Sequence, residues 1–472
     1  MLLIFGAGIW LILSFGSRRH PAPATAVTSV QTAATDSPAS PGVATTFIER
    51  VLRENLRNSL STLLLQLVII IIAARIFGAV FLKIGQPRVM GEIIAGIVLG
   101  PSVLGLFTPR TMGFLFPVSS MDALKLFSQI GVTLFMFVVG MDLNIEHLRR
   151  KAHTAIMVSH ASIIVPFLMG AGLSLALYPT LRSGETSFTS FALFMGIAMS
   201  ITAFPVLARI LEDRGMSQSP LGSMAITCAA VDDVTAWCLL AVVIAIAQAS
   251  GVIGSVITIG LTLLFILIMI FVIKPQLGRV IKDSREYSRG LFAAVLAFAL
   301  GCALFTETIG IHALFGAFLA GVVMPSSDGF RTFFKDKLET VSSVVLLPLF
   351  FAFSGLRMQI SLLNDWYSWL ICGVVIVVAI TGKLGGSMLM ARWTGMKWRD
   401  SFTLGVLMNT RGLIELIVLN IGYDLGILSA RTFAMMVLMA LVTTFMTGPL
   451  LSLVRFGVSE PGAIATGSMT QR

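Results

Sequence analysis

Apolar residues in this chain come in long runs broken by short polar connections. From Thr62 onward thirteen such runs follow one another, at about 62–82, 89–106, 123–142, 154–178, 187–211, 219–249, 252–273, 290–306, 311–325, 341–356, 366–391, 400–421 and 431–454. Crossing the roughly 30 Å hydrocarbon core of a bilayer takes about twenty helical residues. Each run therefore predicts a membrane-crossing helix, with tilt in the longer ones. The runs from 89 and 311 are short and contain Gly and Pro, which predicts oblique spans. The pattern as a whole predicts an all-α polytopic membrane protein with about 13 transmembrane helices over residues 60–455. A short cytoplasmic tail, 456–472, is expected after it. Residues 2–16 are apolar over about the length of a signal peptide, but Arg18 and Arg19 follow the run instead of preceding it. Residues 20–46 are rich in Pro, Ala, Ser and Thr and read as a flexible linker. A cleaved export signal and an extra amino-terminal helix both fit 1–46. Export is favoured, because the loop charges want the following helix to start outside.

Composition agrees and narrows the function. The 472 residues are 56% apolar and 12% charged, against about a quarter charged in soluble domains. That excludes a soluble enzyme, a disordered scaffold and a nucleic-acid binder. The net charge of +10 reflects basic loops on one membrane side rather than nucleic-acid binding. With the start of the first run outside, the inward loops and the end of the last run collect eighteen Lys and Arg, while the outward loops hold only Arg110, Arg182, Arg357 and Arg431. The carboxyl terminus is then cytoplasmic, and a bacterial inner membrane is the expected location. Cys228, Cys238, Cys302 and Cys372 lie in apolar runs and do not cluster with His, so neither disulfide nor zinc is expected.

The two halves, about 62–249 and 290–454, repeat one order of events. GEIIAGIVLGP (91–101) resembles HALFGAFLAG (312–321), LFMFVVGM (134–141) resembles LFFAFSGL (349–356), and GIAMSITAFP (196–205) resembles GVLMNTRGLI (405–414). Offsets of 220, 215 and 209 residues align them. Matched elements stand seven helices apart, an odd number, so the repeats run in opposite directions through the membrane. Inverted repeats are a transporter signature, with the substrate bound where they meet. In the third pair, Ser200, Thr202 and Pro205, and Asn409, Thr410 and Gly412, interrupt apolar runs. Pro removes a backbone donor and Gly weakens a helix. Broken helices are tolerated in a membrane only where protein or a cavity satisfies the freed groups. A simple proline kink is the structural alternative.

A few charges sit at mid-membrane. Asp232 and Asp233 lie more than ten residues from either end of their run. Each acid costs about 2.5–3.5 kcal/mol on insertion scales. They are either locked in permanent ion pairs or serve as a carboxylate that alternately holds a proton and a small cation, which suffices for exchange. Lys383, flanked by Gly382, Gly385 and Gly386, supplies a nearby positive charge, unless it snorkels to the surface. Arg411 and Glu415 are four apart, on one face of the second broken helix, and form either an intrahelical pair or part of the ion path. Glu92 and His312 occupy nearby repeat positions and fit capping or backbone roles better than ion binding. His160 reads as a hydrogen-bonded core histidine. Thr202, Asn409 and Thr410 offer oxygen ligands at the breaks. No Ser/His/Asp set, metal-ligand cluster or HExxH supports an intramembrane enzyme.

VDDVTAW (231–237), SITAFPVLARIL (200–211), HALFGAFLAG (312–321), PLFFAFSGLRM (348–358) and MNTRGLIELIVLNIG (408–422) together resemble the monovalent cation:proton antiporter superfamily, over roughly residues 60–455. The nearest branch holds the Kef-type and plant cation/proton exchangers. The resemblance implies the sodium/proton antiporter fold: thirteen helices, a core with two crossed broken helices, and a panel that forms a homodimer interface. It implies an elevator movement of the core against that panel. It makes Asp233 the ion- and proton-binding carboxylate, with Asp232 paired to Lys383. Thr202, and Asn409 to Gly412, then lie at the crossing. Kef-type exchangers usually carry a regulatory nucleotide-binding domain, whereas about 17 residues follow Arg455 here, so nucleotide regulation is not expected. Keeping Asp232 together with Lys383 resembles the electrogenic sodium/proton members. The expected activity is Na+ (with Li+) exchange for H+ without a cofactor. K+/H+ exchange is the alternative, and a cation channel a more distant one. The expected partners are a monovalent cation, protons and membrane lipid.

Overall fold

The computed structural model describes residues 58–142, 152–184, 186–216, 219–248, 252–282, 288–325 and 327–456. The segment 1–46 and the tail beyond Phe456 lie outside the described residues. The first half comprises α1 (Ser59–Lys83), α2 (Arg88–Leu99), α3 (Val118–Asp142), α4 (Ala152–Leu181), α5 (Phe188–Ser200), α6 (Phe204–Asp213) and α7 (Pro220–Gln248). α8 (Val252–Leu267) connects to the second half: α9 (Arg289–Thr308), α10 (Ala313–Val322), α11 (Asp328–Val341), α12 (Leu347–Leu356), α13 (Trp366–Ile380), α14 (Gly386–Trp393), α15 (Trp398–Met408), α16 (Leu413–Asp424) and α17 (Ala430–Phe456).

Helix covers most of every apolar run, but the runs 187–211 and 400–421 are broken at 201–203 and 409–412, and thirteen full spans are not found among the described residues. Among the described residues ten helices are long and apolar enough to cross a membrane, or eleven when the bent pair α15–α16 counts as one. α5 and α10, with 13 and 10 residues, rise only about 20 and 15 Å at 1.5 Å per residue. α5 is short because its run breaks at Ile201. α10 is short because turns bound it on both sides.

Glycines fix how the repeats interlock. A methyl group added to Gly91 would lie 2.4 Å from the Phe77 carbonyl oxygen, and one on Gly316 would lie 2.1 Å from that of Cys302. One on Gly96 would meet the Ala352 oxygen at 2.1 Å, and one on Gly321 the Phe137 oxygen at the same distance. Gly140 against Phe318 (2.1 Å) and Gly355 against Ile93 (2.5 Å) complete the set. Each contact in one half has its counterpart in the other, so α2 packs on α12 as α10 packs on α3. Such backbone approach, open only to glycine, is how small residues join membrane helices. These contacts correct the register of the first repeat pair: Gly316 and Gly321 stand 225 residues after Gly91 and Gly96, not 220. Glu92 therefore corresponds to Ala317, not to His312.

The helices form two packed groups. α1, α2, α3, α9, α10 and α12 make one, the scaffold; α4–α7 and α13–α17 make the other, the core. α8 follows α7 and packs on it.

Candidate functional site

The site lies where two interrupted helices cross. α5 stops at Ser200 because Ile201 turns to extended backbone (φ −77°, ψ 138°). Pro205 then falls in the first turn of α6, where a missing N–H costs nothing. In the second repeat α15 ends at Met408 and α16 begins after Gly412, with a 44° bend between them. A methyl group on Gly412 would lie 2.7 Å from Val206 Cγ2, so the crossing is tight. The interrupted strands of chain meet closely: Ala203 N donates to the Thr410 carbonyl (3.0 Å), and Thr202 Oγ1 lies 3.1 Å from the Met408 carbonyl.

An α-helix leaves its last four carbonyls unpaired, with the negative end of its dipole. At the buried end of α5 side chains take all four. Ser200 Oγ donates to the Ile197 oxygen (2.9 Å), and Arg411 Nη1 and Nη2 donate to those of Ala198 (2.9 Å) and Met199 (2.7 Å). Lys383 Nζ donates to the Ser200 oxygen. Two cations therefore neutralise this half-helix end. Arg411 also approaches Glu415 Oε1 at 3.2 Å, but the pair does not share one continuous helix. Arg411 sits in the break and Glu415 in the first turn of α16, a correction to the intrahelical reading. The Arg411 backbone is held on both sides by Thr444 Oγ1, at 3.0 and 2.8 Å.

The two aspartates have opposite surroundings. Asp232 accepts from Ser159 Oγ (2.5 Å), Ser162 Oγ (2.7 Å), Thr202 Oγ1 (2.7 Å) and Lys383 Nζ (2.9 Å). Lys383 also donates to the Ser162 carbonyl at 2.9 Å. It stands in a π-helical turn, Thr381–Gly385, a local widening frequent at functional sites. Gly382 in that turn lies against Pro166, where a methyl group would come within 2.9 Å of Cα. Both charges of the Lys383–Asp232 pair are fully buried, so the lysine does not snorkel. Asp233 is equally buried, at 1% exposure, yet neither carboxylate oxygen has a hydrogen-bond partner among the described residues. The N–H of Phe204, at the positive end of α6, lies beside it. Asn409 Oδ1 and Thr410 Oγ1, in the break of the same crossing, are buried and unpartnered as well.

A cavity of about 320 Å³ leads toward this crossing between the two helix groups. Arg75, Arg88 and Glu92 line its scaffold side, and Val206, Arg209 and Leu413 its core side. Glu92 thus faces the cavity beside two arginines rather than capping a backbone. His312 does cap α10, accepting from Leu314 N at 3.4 Å. His160 bonds back to the Ile156 carbonyl at 2.8 Å, but it is half-buried rather than a core residue.

The structure brings together Asp232, Asp233, Lys383, Ser200, Thr202, Asn409, Thr410, Arg411, Gly412 and Glu415, and leaves Glu92, His312 and His160 elsewhere. Sequence reasoning missed Ser159, Ser162 and Thr444. The two serines are three apart on α4, hence on one face, a mid-span polar pair that was legible in principle. Thr444 carried no such signal.

The sequence matches the profile of the family described as sodium/hydrogen exchanger, transmembrane, over residues 45–456. It is 43% identical over 397 residues to "Na(+)/H(+) antiporter NhaS4" of Synechocystis sp. (strain ATCC 27184 / PCC 6803 / Kazusa), covering 83% of this chain and 97% of that protein. It is 38% identical over 415 residues to "Cation/H(+) antiporter 17" of Arabidopsis thaliana, covering 87% of this chain but 50% of the plant protein. Among solved structures, the sodium proton antiporter MjNhaP1 from Methanocaldococcus jannaschii at pH 8 superposes with a TM-score of 0.64 at 13% identity, over 84% of this chain and 99% of that one. At such low identity the likeness shows the fold, an antiporter fold of inverted repeats. With a profile match across most of its length, this chain belongs to the transmembrane sodium/hydrogen exchanger family.

Proposed function

We propose that this protein is a secondary active antiporter exchanging a monovalent cation, Na+ with Li+, for protons by alternating access, and that Asp233 is the group for which cation and proton compete. The observation that carries the reading is the contrast within the aspartate pair. Asp232 and Lys383 cancel each other and are fully hydrogen-bonded, whereas neither Asp233 oxygen has a hydrogen-bond partner among the described residues. An uncompensated carboxylate in a low-dielectric interior costs several kcal/mol. Asp233 is therefore kept neutral by a proton or a bound cation, one displacing the other. Asn409 and Thr410 supply oxygens of the type a hard monovalent ion prefers. Two relatives named as Na(+)/H(+) and Cation/H(+) antiporters support exchange, and the retained Asp232–Lys383 pair favours Na+ over K+. The Ser59 end of α1 is assigned outside and the carboxyl terminus to the cytoplasm, on the sorting of basic loops. A homodimer in a bacterial inner membrane rests on the family resemblance, and no cofactor is called for.

Reconstituted vesicles carrying an internal pH dye, challenged in turn with Na+, Li+ and K+ salts, test the reading. Na+ and Li+ should collapse a proton gradient. A response to K+ alone overturns the ion assignment, and no response to any salt overturns exchange. Activity that survives Asp233→Asn removes Asp233 from its role.

A further inference from the structure

The interface between core and scaffold is open on one side and clamped on the other. On the clamped side Asp424, at the end of core helix α16, is held by two scaffold cations: Arg357, just after α12, and Lys125 near the start of α3, at 3.1 Å. Arg357 also donates to Asn420 Oδ1 of α16 at 2.8 Å, and Asn420 Nδ2 donates to Ser354 Oγ of α12 at 2.8 Å. The Arg357 guanidinium packs over the Tyr423 ring of α16, 4.5 Å from its centroid, a cation–π contact. The cavity marks the open side, and the same three helices line it through Leu347, Phe135 and Leu413. On α12, α3 and α16 alike, the cavity residue and the clamp residue stand ten or eleven residues apart, about 15 Å of helical rise.

We propose that Arg357, Asp424, Lys125 and Asn420 form a gate that closes the face opposite the cavity and sets how often that face opens. They are positioning residues for the exchange. For α16 to move against α3 and α12, every one of these contacts must break, whereas the hydrogen bond described between the two groups beside the cavity mouth, from Gln86 Nε2 to the Phe445 carbonyl of α17, is a single uncharged contact of 3.3 Å. The gate thus holds the population in the cavity-open state, and access from the clamp face is reduced by the fraction open. This inference rests on the exchange reading for its transport readout, and the second measurement below is independent of that reading.

Exchange is measured in vesicles of known orientation, with cation added to one face at a time, for wild type, Arg357→Gln and Asp424→Asn. Loosening the gate should lower the apparent KM on the clamp face and raise it on the cavity face, by about two- to fivefold, the range of a partly exposed ion pair. Equal shifts on both faces, or none, overturn the gate, since a merely structural role has no sidedness. Lys125→Gln, which removes only the more exposed contact, should give the same pattern more weakly and serves if the other variants fail to fold. Independently, Leu347→Cys, with the four native cysteines replaced, is labelled from the cavity face by a membrane-impermeant thiol reagent. Labelling should slow by a similar factor in the gate variants. An unchanged rate overturns the gate even if no cation moves protons.

Discussion

Replacing Lys383 by Met removes one charge from a buried pair and keeps the volume. The structure sets the size of the loss. Asp232 keeps three hydroxyl donors, from Ser159, Ser162 and Thr202, but loses its counter-charge, and the Ser162 and Ser200 carbonyls lose the ammonium. Breaking one partner out of a buried pair costs about 3–5 kcal/mol. Most of that is the stranded carboxylate, because a buried acceptor without its donor accounts for about 1–3 kcal/mol. Removing the carboxylate as well, in Asp232→Asn/Lys383→Met, should therefore recover about 2 kcal/mol or more. The stranded charge can also be relieved by a proton, so the deficit of the single variant should be largest at high pH and shrink as pH falls. Thermal unfolding of purified protein in detergent at pH 6 and pH 8.5 measures all three effects. A single variant that melts with wild type at pH 8.5, or a double variant no better than the single, refutes the reasoning.

Asp233→Asn should leave the melting temperature within error of wild type, since neither carboxylate oxygen has a hydrogen-bond partner among the described residues; a large drop would reveal an unrecognised counter-ion. If proton and cation share Asp233, the apparent KM for the cation should rise about tenfold per pH unit on the acid limb, and a pH-independent KM argues against competition. Gly412→Ala should destabilise by about 1–3 kcal/mol through overpacking against Val206 Cγ2, and Val206→Ala should rescue it. Gly321→Ala forces a methyl group against the Phe137 carbonyl, whereas Gly172, with nothing within 4 Å, should gain about 0.5–1 kcal/mol as Ala in mid-helix; unfolding curves rank the two. Outside the membrane, Asp365 caps α13, and hydrogen bonds from Ser368 hold its carboxyl below the usual range. Its contribution is full above about pH 4 and is lost as pH falls through the lowered value, so Asp365→Ala should melt below wild type at neutral pH and together with it at the acid extreme.

Much of this protein was legible in its sequence. The apolar runs, the repeated order of motifs and the mid-span Asp232, Asp233 and Lys383 follow from one physical fact: a bilayer penalises every polar group without a purpose or a partner. The interruptions at Ser200–Pro205 and Asn409–Gly412 were visible because Pro and Gly act on their own backbone. What distance along the chain does not encode is which groups meet across it. The repeat register came out five residues off in the first pair, because glycines match by the backbones they touch and those lie on other helices. Arg411 and Glu415 read either as a helical pair or as part of the ion path until the fold placed Arg411 in the break, where it serves the end of α5, and Glu415 in the first turn of α16. Ser159 and Ser162 gained their role from Asp232, some seventy residues away. The sequence by itself determined a membrane-embedded carboxylate pair with a lysine to answer it. Only the tertiary structure decided that the hydroxyls and the lysine all converge on Asp232 and none on Asp233, because hydrogen bonds act over about 3 Å and only the folded chain brings those donors within that reach.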